Sequence, residues 1–352
     1  MAWEDKIKNT LNKWMKGSGP DSDVLISSRI RLARNIMDLP FPGNASPEDI
    51  QGVVEKAKGV LNDEGKNYLG LKLLELETVP VLEREVMVEK HLISPEHARP
   101  GQHRALALTD DESISVMVNE EDHLRIQVLF SGFQLEEAWE LCNQVDDYFE
   151  SELDFAFSEK YGYLTTCPTN AGTGMRASVM LHLPALNLTK RVNEVFGAIS
   201  QLGLAVRGLY GEGTEALGNI YQVSNQITLG PSEVEIIENL QGVIRQIIDQ
   251  ERNARQVLLE KNELELTDRV CRGYGILKHA QKITIKEAMR LLSDLRLGVD
   301  LGIIDNVTAN ILNELMVLIS PAALQRLEEK ELKNTEFDQK RAELIRTRIR
   351  EN

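Results

Sequence analysis

Cysteine is scarce in this chain: three residues, Cys142, Cys167 and Cys271, in 352. Odd in number and far apart, they argue against a disulfide framework and give no zinc-ligand spacing. No apolar run approaches a membrane span and the N-terminus has no apolar signal region. A cytoplasmic protein without a membrane partner is therefore expected. Positive charge is short as well. Against 55 Asp and Glu there are 40 Lys and Arg, a formal net charge of -15. That balance speaks against non-specific nucleic-acid binding and favours cationic partners. There is no G-x-x-x-x-G-K-[ST] loop, no His-Arg-Asp and no Asp-Phe-Gly. Gly172-Thr-Gly174-Met-Arg-Ala177 and Gly211-Glu-Gly213-Thr-Glu-Ala216 fit G-x-G-x-x-A, but neither opens a helix, so a dinucleotide fold is excluded. His91, His97 and His103 recur every six residues and match no ligand pattern, so no protein metal site is expected.

What is present is size enough for more than one domain, with 42% hydrophobic residues. Trp3, Ile7, Leu11 and Trp14 predict an amphipathic helix over residues 3–15, closed by Gly17-Ser-Gly-Pro20. A helix follows over 46–64, begun by Ser46 or Pro47, and a strand over Val86–Glu89. Ser113–Val118 and Leu124–Phe130 read as a hairpin, and Leu135–Phe149 as a helix with Cys142 on its core side. Strands at Tyr161–Thr166 and Ser178–Leu183, a helix at Thr189–Leu202, a strand at Leu204–Leu209 and a segment Ile220–Leu229 complete a sheet region. From Ser232 the pattern turns helical: a capped helix to about Lys261, then Thr267–His279, Thr284–Leu297, Asn306–Leu318, Pro321–Lys330 and Glu336–Arg350. The composition divides the chain into residues 1–20, 24–255 and 256–352.

Three stretches carry chemistry. In Ser27-Ser-Arg29-Ile-Arg31, two arginines at i and i+2 of an extended segment point to one side and suit a polyphosphate. The hairpin connection Asn119-Glu-Glu-Asp-His123 sets three acids on one loop, either solvated or poised for catalysis. Thr166 to Ser178 holds a lone thiol, Cys167, with Gly172, Gly174 and Arg176. Its backbone can approach an anion closely, although a turn with a structural cysteine is the plainer reading.

Together with Arg207-Gly-x-x-Gly-Glu212, these stretches resemble the phosphagen (guanidino) kinases, in the family's order, over roughly residues 24–255. The resemblance implies an α+β fold, an antiparallel sheet flanked by helices of the phosphagen-kinase, glutamine-synthetase-like kind. It implies ATP and Mg2+ as cofactors. It places Arg29, Arg31, Arg125, Arg176 and Arg207 on the ATP phosphates and His91 near the adenine. The nucleotide-site segments also include Ser27, Ser28, Ile30, Ala177, Ser178, Val179, Met180, Gly208, Leu209, Tyr210 and Gly211. Glu120 would act on the magnesium side through water. Glu121 and Glu212 would grip the acceptor guanidinium with Cys167 beside it, a thiol expected to have thiolate character.

Two departures narrow the resemblance. Only some 25 residues precede the first arginines, where metabolic phosphagen kinases have a helical domain over a small substrate. A helical module follows the catalytic part. Both features resemble the bacterial protein-arginine kinases of the McsB type. For that family the resemblance implies protein substrates presenting exposed arginines, a stress-response role, a heat-shock repressor, a Clp-type chaperone-protease and a small zinc-binding activator. It also implies an allosteric phosphoarginine pocket. Here Asp338, Arg341 and Ala342 match its pattern and Phe337 replaces the first arginine, which weakens it. The helical stripes Ala288, Leu291, Leu292, Leu295 and Ile311, Leu312, Leu315, Leu318 lead to the expectation of a homodimer. They also lead to the expectation that a chain ending near Lys261 is monomeric and competent. A kinase for free arginine and an inactive adaptor on the same fold are the alternatives.

Overall fold

Alternation of apolar and polar residues in the first two-thirds of the chain builds strands, and the computed structural model shows how they pair. It describes residues 12–62, 67–208, 216–328 and 331–350. The strands are β1 (Leu25–Arg34), β2 (Lys72–Glu75), β3 (Ala105–Leu108), β4 (Ile114–Val118), β5 (Leu124–Ser131), a short hairpin β6 (Phe157–Ser158) and β7 (Gly162–Tyr163), then β8 (Met175–His182), β9 (Leu204–Gly208) and β10 (Ile220–Asn225). Eight of them form one antiparallel sheet in the order β2-β3-β4-β5-β1-β8-β10-β9. The expected α+β sheet flanked by helices is therefore present.

Side-chain alternation gives the sheet two different faces. Ile30, Leu32, Ile126, Val128, Ala177, Val179 and Val223 form one, buried against α1 (Pro47–Leu61) and two later helices described below, whereas α2 (Val81–Glu89) packs in a separate cluster with Leu76, Leu92 and Leu106. The opposite face carries the arginines at one end and Leu129, Met180 and Ile220 at the other. Those three pack with Trp14, Met15 and the C-terminal helices.

The local signals mostly act as their chemistry dictates. Ser46 and Asp49 form a reciprocal capping box on α1. After α3 (Pro95–Ala98), the helix α4 (Leu135–Glu150) buries Cys142 completely. The strand expected over Val86–Glu89 is a correction: those residues end α2, which starts after Pro80 and runs through the helix formers Leu82-Glu-Arg-Glu85. Four residues with Val86 and Val88 are too few to separate a period of 2 from one of 3.6. Tyr161–Thr166 pairs only at Gly162–Tyr163. Gly162 packs so tightly on Gly172 that a Cβ would lie 2.4 Å from the Gly172 carbonyl oxygen, and the ladder stops there. The helix expected at Thr189–Leu202 is present as α6 (Val192–Gln201); a short helix not expected from sequence, α5 (Pro184–Leu188), precedes it, and Lys190, whose φ is 59°, separates the two.

Ser232 and Glu235 box the start of α7 (Glu233–His279). A non-helical residue, Asn262, interrupts α7 near the end expected from sequence, and the helix resumes in the segment read as Thr267–His279. Then come α8 (Ile285–Asp300), with Thr284 accepting from the Glu287 N–H, α9 (Ala309–Leu318), α10 (Pro321–Leu327) and α11 (Asn334–Arg350). The helix expected over residues 3–15 lies mostly outside the described residues; a 3-10 turn, Lys13–Lys16, is seen.

The C-terminal helices share a core with the sheet. Arg296 donates to the Ser22 carbonyl (2.6 Å), and Glu89 accepts from the Ala322 and Ala323 N–H groups at 2.8 and 2.7 Å. The stripes on α8 and α9 are buried inside this chain's own core. They are already used, so they supply no free dimer face. A chain ending near Lys261 would strip cover from Ile26, Leu129, Met180 and Ile220. Such a truncation would leave those four side chains without their present neighbours.

Candidate active site

The strand register brings the sequence-predicted arginines together. In β1, Arg29 and Arg31 point to one face; Arg31 lies directly opposite Arg176 of β8 and Gln127 of β5. Arg29 lies opposite Ser178, and Arg125 is two residues from Gln127, on the same face. Gln222 of β10 sits opposite both Met180 and Arg207 of β9. Four strands thus deliver Arg29, Arg31, Arg125, Arg176 and Arg207 to one surface. Above part of it lies a cavity of about 340 Å³ whose lining includes Arg29, Arg31, His91, Met117, Arg125 and Gln127.

The guanidinium groups crowd one another. Burial, then Arg125 and Arg176, lower Arg29 to about 10, and burial followed by Arg29, Arg125 and Arg176 lowers Arg31 further. Arg176 is lowered by burial, Arg207 and Arg125, with Glu121 and Cys167 opposing. Partial relief comes from Glu120, which pairs with Arg125 at 2.6 Å and accepts from Ser94 (2.6 Å) and its neighbour's N–H. Burial opposes ionisation of Glu120, yet Arg125 and Ser94 hold it below the usual carboxylate range. The Nε of Arg31 is buried with no hydrogen-bond partner. A surface with surplus positive charge and an unanswered donor fits a polyphosphate.

His91 stands at the apolar side of this surface. Its ring lies 5.5 Å from Trp14, and its carbonyl accepts from Gln127. Burial, then Arg29 and Arg31, push it down to about 3, so it is neutral. Arg29 donates to Gln222 at 2.9 Å and to Ser178 at 3.4 Å, with Ser27, Leu129 and Met180 around it. Other predicted residues do not reach this surface with their side chains. Ile30, Ala177 and Val179 face the opposite core, and Ser28 spends its hydroxyl on Gly132 and Gln134. Leu209, Tyr210, Gly211 and Glu212 lie outside the described residues, while Gly208 ends β9 beside them.

The acidic loop and the thiol loop are held to each other by residues that the sequence reading did not single out. Asp122, the third acid, is buried; it accepts from Asn35 and from the Thr166 N–H, both at 2.7 Å. Asn35 in turn receives the His123 N–H. From the far side Thr228 donates to the Thr169 and Ala171 carbonyls and accepts from Thr173. Gly172 has a φ of 106°, and a Cβ there would lie 2.1 Å from the Thr228 oxygen. These ties set Cys167, partly exposed with its Sγ 3.0 Å from Thr169 Oγ1, beside the strand end that carries Arg176. Glu121 is exposed at the loop tip. The available signal was that a run of acids on a tight hairpin contained one residue, Asp122, between a catalytic candidate and a buried strand.

The same face, register and loops describe a known family. A family model for the ATP:guanido phosphotransferase C-terminal catalytic domain matches residues 52–254, and one for the McsB protein-arginine kinase C-terminal domain matches residues 263–352. The protein-arginine kinase of Halothermothrix orenii is 54% identical over 349 residues, covering 99% of both chains. That of Halalkalibacterium halodurans is 52% identical over 350 residues, 99% of this chain and 98% of the other. This chain belongs to the protein-arginine kinase family. Among solved structures, the duplicated taurocyamine kinase of Schistosoma mansoni aligns with a TM-score of 0.60 and 27% identity over 72% of this chain and 36% of that one. A lombricine kinase aligns at 0.58 over 67% and 68%, and at 23% identity it supports the fold alone. The kinase is a phosphotransferase, and every strand of its sheet except β1 lies within the segment that the catalytic-domain model matches.

Among the described residues no group of three or more His, Cys, Asp or Glu side chains is arranged to hold a metal. At the C-terminus Arg341 is buried and donates to the Ile319 and Ile283 carbonyls (2.9 and 3.0 Å) and to Asp338 (2.7 Å), and Ala342 is buried too. A phosphate reaching Arg341 would have to displace those contacts. No helix among the described residues is long and apolar enough to cross a membrane.

Proposed function

We propose that this kinase transfers the γ-phosphoryl group of Mg-ATP to arginine side chains of proteins. The observation that carries this reading is an arginine face with surplus charge bordered by an exposed carboxylate, Glu121, on the acceptor side. Arg29, Arg31, Arg125, Arg176 and Arg207 hold the phosphates, and neutral His91, backed by buried Trp14 with the ring planes 44° apart, stands on the base side. Glu121, exposed to solvent, is accessible to a guanidinium that stays attached to a polypeptide.

A guanidinium has a pKa above about 12 and little nucleophilicity. Glu121 and Glu212 fix its plane by charge-assisted hydrogen bonds, and one of them takes a proton as the nitrogen attacks phosphorus. The N–P bond forms, the P–O bond to the departing ADP breaks, and the arginine face stabilises the charge on the transferring oxygens. Cys167, beside Arg176, contacts the acceptor. Magnesium neutralises phosphate charge when bound; Glu120, already engaged with Arg125 and Ser94, fits an outer position through water rather than a protein cage.

Glu121→Ala and Glu212→Ala test these roles. Each is expected to lower phosphotransfer by about 10²–10⁴-fold while nucleotide still stabilises the fold. A variant keeping more than about a tenth of the rate removes that residue from the mechanism. The same reading places the kinase in the cytoplasm, in a stress response that marks proteins for Clp-type proteolysis under a zinc-binding activator. Light scattering tests the accompanying homodimer, which would have to use surfaces other than the buried stripes of α8 and α9.

A further inference from the structure

A protein substrate brings more than an arginine: residues on either side of it must come to rest somewhere. The loop after Cys167 is clasped at Gly172 from two sides. On one, the Tyr163 N–H donates to the Gly172 carbonyl at 2.8 Å, tying on the β6–β7 hairpin. On the other, Thr228 receives the Thr173 N–H at 2.9 Å and donates to Thr169 and Ala171.

Both clasps carry large apolar side chains that the fold does not bury. Phe157 and Tyr161 on the hairpin are 52% and 47% exposed; Ile227 and Leu229, on either side of buried Thr228, are 56% and 52% exposed. Val234, in the first turn of α7, adds another at 55%. Single exposed apolar residues are ordinary on a protein surface. Here they sit on the two segments that grip one catalytic loop, and Glu159 and Glu233 lie among them in the sequence.

We infer that these side chains form an apolar rim receiving the residues that flank the acceptor arginine, so that the kinase selects arginines with aliphatic or aromatic neighbours. The inference rests on the protein-arginine reading above. The occupant follows from chain connectivity. An arginine delivered to Cys167 and Glu121 keeps its own backbone over the Gly172 loop. An extended chain advances about 3.3 Å per residue, so positions two to four residues away fall over the flanks.

The experiment compares two peptides of equal charge, each with one arginine, bearing leucine or serine two residues to either side. Phosphoarginine is measured by mass spectrometry under non-acidic conditions. Burial of apolar side chains that the peptide otherwise exposes predicts about tenfold higher kcat/KM for the leucine peptide, carried by KM. The variant Ile227→Ser/Leu229→Ser, and separately Tyr161→Ser, are expected to bring the two peptides within about twofold while the serine peptide keeps its rate. These side chains are exposed, so thermal midpoints should hold near wild type. Equal kcat/KM for the two peptides with wild type overturns the rim and leaves the protein-arginine reading standing. So does a preference untouched by the variants, or a variant that changes only the oligomeric state in light scattering. Phosphorylation of neither peptide overturns that reading and the rim with it.

Discussion

Replacing Arg29 by methionine should make the nucleotide-free kinase more stable and the enzyme worse. Arg29 is held at about 10, some two to three pH units below an ordinary guanidinium, by burial and by Arg125 and Arg176. At about 1.4 kcal/mol for each pH unit, that difference is on the order of 3 kcal/mol of strain in the unliganded fold. The bonds to Gln222 and Ser178 offset part of it, each contributing about 1 kcal/mol. Methionine keeps the apolar stem and removes the charge, leaving a net gain on the order of 1 kcal/mol and a Tm about 1 °C higher. The sign with pH is fixed: below about 10 the folded guanidinium is protonated, so the strain is fully present and the gain stays constant from pH 6 to 9. With Mg-ATP the order reverses. Wild type at a hundredfold excess over Kd gains about 2.7 kcal/mol. The variant, lacking a buried phosphate ligand, should lose affinity on the order of 10²-fold. Thermal unfolding of both proteins with and without nucleotide reads all four states. A variant less stable than wild type without nucleotide, or equally stabilised by it, refutes the charge-surplus account of the arginine face.

Other expectations follow from the same contacts. Burial pushes Glu89 up to about 7 despite its bonds from Ala322 and Ala323. Between the ordinary 4.5 and about 7 the folded state therefore binds the extra proton. Wild-type stability relative to Glu89→Gln should fall with rising pH across that window and be flat above it, as read by urea midpoints. Asp122→Ala should free the Thr166 end of the thiol loop and lower kcat by about 10-fold or more, with nucleotide-induced stabilisation unchanged. Loss of that stabilisation would place Asp122 in the phosphate site instead. A chain ending near Lys261 should expose the apolar end of the sheet and bind a hydrophobic dye or aggregate, and a soluble, cooperatively unfolding product would contradict the shared core.

Much of this site was legible because its residues sit at positions with a fixed period. Arg29 and Arg31 are two apart in a strand, so their common side needs no structure to see. That Arg31 faces Arg176, from a strand nearly 150 residues later, follows only from register, which sequence alone does not supply. Capping pairs such as Ser232–Glu235 were readable because they are local. The α2 helix was misread because four residues of mixed pattern carry little period, and the long-range ties of Asp122 and Thr228 leave no local trace. Apolar stripes on α8 and α9 were seen correctly, but their partner, the far end of the arginine face, is a tertiary fact.

The most direct measurement of the central claim is mass spectrometry, without acidic handling, of an arginine-rich protein incubated with this kinase and Mg-ATP, beside free arginine at the same guanidinium concentration. The account predicts phosphate on protein arginines, an acid-labile P–N linkage, little product from free arginine, and none with Glu121→Ala. Efficient conversion of free arginine with an unmodified protein would contradict it.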